Sequence, residues 1–248
     1  METFEFDGQF LWDLGAVIAQ RPKYFMPARD VNLITIPFSN GDIIADNGRY
    51  NNITAQIPIR AVPSFCRLSF KDFAYKLSEW LNAETHDYKI YRDTYNPGFF
   101  RKGVVTEISE ITAVYPDVYE TKITFSFEPF LFSDSGLNVT RYQSTNGRIS
   151  TSIVNPEMWS AEPIIRIIGS GNYSGFIGNV GFTVNDVVNE IVIDKQNENV
   201  YDAIGRACNN KISANKLPSF SAGSNAIQFE NTDSLDFTME ITPNWRRI

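Results

Sequence analysis

Apolar and polar positions alternate with the two-residue period of β-strands over most of the chain. The clearest case is residues 50–60, where Ile53, Ala55, Ile57 and Ile59 fall on one side and polar side chains on the other. A period of two puts the two sets on opposite faces of a half-buried antiparallel strand. The chain is therefore predicted to be mainly β.

One segment departs from this pattern and has the spacing of an amphipathic helix. Residues 69–82 carry a stripe of apolar side chains on one helical face, which consists of Phe70, Phe73, Ala74, Leu77 and Leu81. Ser69 is placed to cap the helix, with Asp72 at the reciprocal position of a capping box. We expect this one helix to pack against a sheet through the stripe, rather than to form an aromatic cofactor site.

Two long β-rich runs follow the helix, at residues 99–115 and 119–132. A turn is predicted between them at Pro116 and Asp117, and apolar residues alternate with polar ones in the second run. The pattern predicts a long antiparallel hairpin over 99–132. Because each run exceeds the usual strand length, we expect part of the hairpin to project from the body.

A small polar stretch at residues 133–136 separates the helix-bearing part from a second part made of short strands and turns. Many short strands joined by turns are typical of a β-sandwich or jelly roll. The sequence therefore predicts two domains. The first, 1–133, is a β-sandwich and hairpin domain with a packed helix, and the second, 134–248, is an all-β sandwich.

Charge and composition restrict the classes of function that the chain can have. The net charge is −7, without a basic block or tail, which argues against binding nucleic acid through its phosphates. No apolar run approaches the roughly 18 residues that cross a membrane, and the first residues lack the pattern of a signal peptide. Cys66 and Cys208 have no metal-ligand spacing. We expect reduced, part-buried thiols, and a disulfide between them stays open.

The candidate catalytic residues form no recognisable constellation. His86 is the only histidine, and its polar context after a helix end favours a surface residue. The glycine-rich segment 169–175 lacks the spacing of a phosphate-binding loop, and no helix follows it. The acidic candidates for glycoside hydrolysis or calcium binding are Glu107 with Glu110, Asp233 with Asp236, and Asn185-Asp186 with Asp194. Sequence spacing does not give their separation in space, and exposed strand carboxylates are the simpler interpretation.

Several stretches of the chain, taken in order, resemble one known family. They are ARDVNLITIPFSNG at 28–41, DNGRY at 46–50, the helix, RKGVVTEISE at 101–110, ITFSFEPF at 123–130, EPIIRI at 162–167, LPSFSAGSNAI at 217–227 and ITPNWRR at 241–247. In this order and spacing the chain is similar, nearly end to end, to the distal tail proteins of long-tailed bacteriophages, the siphophage family called Dit.

The resemblance implies a structural virion protein of the phage tail tip, assembled in the host cytoplasm. Relatives form a six-fold ring of N-terminal domains that joins the tail tube protein to the tail-associated hub protein. Their C-terminal galectin-like domains can hold receptor-binding proteins. The resemblance thus implies a homo-hexamer whose partners are the tail tube protein, the hub protein and receptor-binding proteins. Genome DNA is expected to pass through the ring without being bound. The family implies no catalytic, cofactor-binding or metal-binding residues, no enzyme activity and no membrane.

Two surfaces of the chain are candidates for contact with other molecules. The 99–132 hairpin is the first candidate for contact between subunits of the ring. The second functional class that stays open is a carbohydrate-binding module contacting host cell-wall glycans, with Trp159 and Tyr173 as stacking platforms on the second domain.

Overall fold

The computed structural model describes residues 2–20, 26–62, 65–83, 86–115 and 118–248. Contacts divide the chain into two compact units, Met1–Leu131 together with Ile248, and Phe132–Arg247. Within the described residues there is one α-helix, and the rest of the regular structure is antiparallel sheet and short 3₁₀ turns. The predicted class, mainly β with one helix, is confirmed. No helix in the described part of the chain is long and apolar enough to cross a membrane.

In its described residues, the first unit consists of one sheet, one helix and one separate hairpin. Its elements are β1 Phe4–Phe6, β2 Gln9–Phe10, a 3₁₀ turn at Leu11–Leu14, β3 Ala16–Ile18, β4 Arg29–Thr35, β5 Asp42–Tyr50, β6 Ile53–Ala61, α1 Phe70–Leu81, β7 Lys89–Asp93, β8 Phe99–Ile108, β9 Thr112–Tyr115 and β10 Val118–Phe127. The sheet has the strand order β2-β1-β7-β8-β10-β6-β3, and β9 also pairs with β10. Strands β4 and β5 form a two-stranded sheet of their own.

The helix α1 begins and ends one residue inside the predicted range of 69–82. Ser69 is its N-cap, and the Ser69 hydroxyl accepts a hydrogen bond of 3.2 Å from the Asp72 amide. The same hydroxyl donates to the Asp72 carboxylate at 2.7 Å. The cap therefore satisfies one of the amides that a helix start leaves without a partner.

The apolar stripe of α1 packs into the core of the first unit, displaced toward the end of the helix. Phe73 and Leu77 are fully buried, as the spacing predicts. Phe70 instead stays 41% exposed. Trp80, which the stripe did not include, is buried, and its indole N–H donates to the Phe6 carbonyl at 3.0 Å. Trp80 is three residues after Leu77, so it shares that face and closes the contact with β1.

The predicted 99–132 hairpin lies in the middle of the sheet. Strands β8 and β10 pair from Phe127 opposite Gly103 to Ile123 opposite Ile108. The other edge of β10 pairs with β6 over eight residues. Both edges of β10 are thus occupied by its own chain. The turn predicted at 116–117 lies outside the described residues.

The second unit is a β-sandwich. The strands from Leu131 onward are β11 Leu131–Ser133, β12 Thr140–Gln143, β13 Arg148–Asn155, β14 Ile164–Ile168, β15 Gly171–Ile177, β16 Val180–Val187, β17 Glu190–Asp194, β18 Asn199–Asp202, β19 Ile212–Ala214, β20 Gly223–Asn231, β21 Thr238–Thr242 and β22 Arg246–Arg247, with 3₁₀ turns at Asp134–Leu137 and Asn209–Lys211. One five-stranded sheet runs β12-β21-β14-β17-β18 and the other β13-β20-β15-β16-β19. Their inner faces share one apolar core, which includes Ile165, Ile191 and Met239 from the first and Phe182 and Phe229 from the second.

Candidate functional surfaces

The predicted catalytic candidates do not come together in the described structure. His86 is exposed just after the end of α1, and Glu107 and Glu110 are exposed near the end of β8. Most of the glycine-rich segment 169–175 is itself part of strand β15, and strand β16 follows it rather than a helix. In the described part of the chain, no group of three or more His, Cys, Asp or Glu side chains could hold a metal ion.

Two of the acidic candidates hold turns together. The Asp194 carboxylate accepts hydrogen bonds from the Asn197 amide at 3.1 Å and from its side chain at 2.8 Å, which closes the turn after β17. The Asp236 carboxylate accepts from the Gly147 amide at 3.0 Å and the Ser144 hydroxyl at 3.1 Å. Asp194 therefore holds its own turn, and Asp236 holds the distant turn at 144–147, so both carboxylates have a structural role.

The two cysteines are free and buried, so the disulfide that the sequence left open does not form. Burial raises the pKa of the Cys208 thiol. A thiol with a raised pKa carries little thiolate at neutral pH and is a poor nucleophile. Cys208 therefore belongs to the packing of the second unit.

Tyr173 is not a stacking platform for a sugar, which corrects the sequence-based expectation. It is 1% exposed in the core of the sandwich. Its ring stacks on Phe229, with centroids 5.8 Å apart, and meets Phe237 edge-on at 5.0 Å. A ring enclosed on these sides has no face left for a ligand. Trp159, the other predicted platform, is 37% exposed.

A groove with a volume of about 800 Å³ instead crosses the outer face of the sheet β13-β20-β15-β16-β19. Five side chains form a row across all five strands because they are paired in register, namely Arg148, Glu230, Ser174, Thr183 and Ser213. Arg148 and Glu230 form an ion pair of 3.0 Å. The row thus offers hydroxyl groups and a charge-neutral pair to a ligand in the groove.

Phe176 stands beside this row and is 58% exposed. In register it lies opposite Gly181 on β16. A Cβ atom at Gly181 would be 2.9 Å from the Phe176 ring, so the ring lies directly over that glycine. The sequence indicates that Phe176 and Tyr173 point to opposite faces of the sheet, since they are three residues apart in one strand.

The hairpin of β4 and β5 is the second notable surface. Leu33 pairs with Ile44 and Ile34 with Ile43, and all four are more than half exposed. Successive side chains of a strand alternate between faces, so one pair lies on each side of the ribbon. Phe38 in the connecting turn is fully exposed.

Charged side chains fix the base of this hairpin. Arg29 pairs with Asp46 at 2.6 Å, and Arg49 pairs with Asp30 at 2.8 Å. The chain passes through residues 46–48 as a bulge, because the register of the two strands shifts between Arg29 and Val31. Gly48 has φ +70°, which accommodates the bulge. The strand is therefore longer than its local sequence indicates.

Comparison with known proteins places the whole chain on a known fold. No family model matches the sequence, and no curated protein matches it. The SPP1 Dit protein, described as a paradigm of the hub adsorption apparatus in phages that infect Gram-positive bacteria, has a similar structure. The TM-score is 0.68 at 12% identity, over 100% of both chains. A chain of the phage p2 baseplate in its activated conformation has a TM-score of 0.51 at 11% identity, over 97% of this chain and 98% of that chain. The resemblance predicted from the sequence is confirmed in the fold, and from end to end the chain has the fold of the distal tail protein Dit.

Proposed function

We propose that the protein is a structural component of a phage tail tip, a distal tail adaptor of the baseplate hub, and not an enzyme. The observation that carries this proposal is the match to the SPP1 Dit protein over 100% of both chains. A sandwich alone serves many functions, so a shared single domain would support only a fold class. Here the similarity extends over both units of this chain.

The more detailed proposal is a hexameric ring. Its wall is formed by the N-terminal domain, 1–133, and the galectin-like C-terminal domain, 134–248, faces outward, where receptor-binding proteins dock. The ring joins the tail tube to the tail-tip hub and its host-adhesion apparatus in the virion, after assembly in the host cytoplasm. The net charge of −7 supports this, because an acidic or neutral inner wall lets DNA slide through without binding.

Light scattering and negative-stain imaging of the purified full-length protein test the ring, alone and mixed with the tube and hub proteins of the same phage. We expect six-fold rings at high protein concentration or with these partners, since closure of a ring can require them. A chain that stays monomeric under all these conditions would contradict the proposal. A strongly basic lumen in an imaged ring would contradict the proposed passage of DNA.

A second candidate function, binding of host cell-wall glycans, is favoured by the groove beside Phe176. Sugars combine hydroxyl groups with an apolar ring face, and the groove combines a row of polar side chains with an exposed aromatic ring. The charges of Arg148 and Glu230 offset each other, which suits a neutral ligand.

A glycan array tests this candidate with the full-length protein, the Phe176→Ala variant and a control. Tyr75→Ala is the matched control, because Tyr75 is an exposed aromatic residue of the other unit. We expect Phe176→Ala to abolish the signal and Tyr75→Ala to leave it unchanged. An array without signal, or a signal that Phe176→Ala does not alter, would remove the carbohydrate-binding function.

A further inference from the structure

Asparagine is followed directly by glycine three times in the chain, at Asn40-Gly41, Asn47-Gly48 and Asn146-Gly147. Asparagine is a thermolabile residue, and a following glycine favours loss of its side-chain amide, because no side chain keeps the glycine nitrogen away from the carboxamide. The reaction requires that backbone nitrogen to turn toward Cγ of the preceding asparagine. The environment of each glycine amide therefore decides which of the three sites reacts.

The Asn47-Gly48 site is held at both of its reacting groups. The Gly48 amide donates a hydrogen bond of 2.9 Å to the Asp46 carboxylate. The Asn47 side chain donates one of 3.0 Å to the Asp30 carboxylate. Hydrogen bonds to a carboxylate are stronger than those between neutral groups. Because attack at this site must first break such bonds, we expect it to be slow.

The Asn146-Gly147 site is held by a carboxylate and by its surroundings. The Gly147 amide donates a hydrogen bond of 3.0 Å to the Asp236 carboxylate, and the glycine is buried. The backbone of Ser234 lies against it, since a Cβ atom at Gly147 would be 2.7 Å from the Ser234 Cα atom. Rotation of the Gly147 peptide toward the Asn146 side chain is therefore opposed by a hydrogen bond and by close packing.

The Asn40-Gly41 site lacks all of these restraints. It lies in the turn between β4 and β5, and both of its residues are exposed. Within the described residues, neither the Asn40 carboxamide nor the Gly41 amide makes a hydrogen bond. A Cβ atom at Gly41 would meet no atom within 4 Å, so this glycine is surrounded by open space. Its nitrogen can approach the Asn40 side chain without breaking any contact.

We propose that Asn40 is a site of spontaneous deamidation, through a succinimide formed with Gly41. The Gly41 nitrogen attacks Cγ of Asn40, and the new N–Cγ bond replaces the Cγ–Nδ2 bond. The side-chain nitrogen leaves as ammonia, which takes up the proton of the Gly41 amide. Water then opens the ring at either carbonyl, and the products are aspartate and isoaspartate. Water is the only co-reactant, and nothing is oxidised or reduced.

The reaction changes the tip of the β4–β5 hairpin. Either product places a new carboxylate two residues before Asp42, in the turn that also carries the fully exposed Phe38. Isoaspartate in addition inserts the side-chain methylene of the residue into the main chain. The reaction does not depend on the proposed role in a phage tail tip. Stored protein thus becomes a mixture of forms that differ in charge at this turn.

Timed peptide mapping of the full-length protein tests this proposal. The protein is incubated under native conditions at neutral pH, and aliquots are digested with trypsin and analysed by mass spectrometry. The tryptic peptide 30–49 contains both Asn40 and Asn47, so its fragment ions compare the two sites within one peptide. The peptide 142–148 reports on Asn146. Incubation in urea is the control, because unfolding removes all three local environments.

We expect native Asn40 to deamidate at least about tenfold faster than Asn47 and Asn146, the factor that corresponds to one hydrogen bond to a charged group. In urea the three rates should become similar. Equal rates at the three sites in the native protein would overturn the proposal. An Asn40 that stays intact while the urea sample reacts would overturn it as well.

Two variants assign the new charge to one residue. Native isoelectric focusing of the aged protein should show an acidic form that grows with time. We expect Asn40→Gln to abolish this form, because glutamine would have to close a less favourable six-membered ring. Asn47→Gln is the matched control in the same hairpin and should leave the acidic form unchanged. An acidic form that persists in Asn40→Gln, or one that Asn47→Gln removes, would overturn the assignment to Asn40.

Discussion

Replacement of Tyr173 by alanine should destabilise the C-terminal sandwich strongly. Tyr173 is 1% exposed, stacks on Phe229 and contacts Phe237 edge-on. Truncation of a large buried aromatic side chain to alanine costs about 3–5 kcal/mol through lost transfer energy and the cavity it leaves. The Tyr173 hydroxyl also donates to the Ser170 carbonyl at 3.3 Å. Since domains are stable by about 5–15 kcal/mol, this variant loses a large fraction of its stability.

Urea unfolding of the full-length protein measures this loss, with two variants as controls. Tyr173→Phe keeps the ring and removes only the hydrogen bond, so we expect about 0.5–1.5 kcal/mol. Phe176→Ala, on the same strand but 58% exposed, should cost less than about 1 kcal/mol. Hydrogen exchange of amides in β15 and β20 assigns the effect to the sandwich. A Tyr173→Ala cost below about 1 kcal/mol, or one equal to that of Phe176→Ala, would refute the assignment of Tyr173 to the core.

Other predictions concern the helix and an ion pair. Leu77→Ala should cost about 2–5 kcal/mol in urea unfolding, and Tyr75→Ala, on the exposed side of the same helix, less than about 0.5 kcal/mol. Ser69→Ala should cost about 1 kcal/mol by the same measurement, because its hydroxyl caps the helix. A hydrogen bond from Arg141 lowers the pKa of Glu240. Its stabilisation is therefore present above the unfolded pKa of about 4.3 and lost as the pH falls through the lower folded pKa, so Glu240→Gln should flatten the pH profile of unfolding in that acidic window. Equal acid sensitivity of variant and wild type would contradict this.

The helix shows which structural features can be predicted from local sequence. Residues 69–82 predicted its position to within one residue at each end, because an N-cap serine and a 3.6-residue apolar period are local signals. The degree of burial along the stripe was less predictable. Phe70 is partly exposed and Trp80 is buried, because the position of the sheet beneath the helix decides which turns of the stripe are covered.

The candidate surfaces were harder to predict. Trp159 and Tyr173 are aromatic residues among short strands, and their sequence context does not say which face of a sandwich they occupy. Register places Tyr173 in the core and Phe176 outside, and aligns Arg148 with Ser213 across four strand pairings. Of the paired strands that supply this row, only β15 and β16 follow each other directly in the chain, so no local pattern encodes the whole row.

By itself, the sequence determined the class of this protein: a β-rich chain with one amphipathic helix, and an order of motifs similar to distal tail proteins. These properties follow from the periods of apolar residues, which are set by the geometry of a single strand or helix. Only the tertiary structure decided that β10 has both edges paired, that Tyr173 is inside, and that the hairpin 29–50 stands apart with both faces apolar. The reason is that a two-residue period separates two faces without saying which one meets a core, and pairing between distant strands settles that choice.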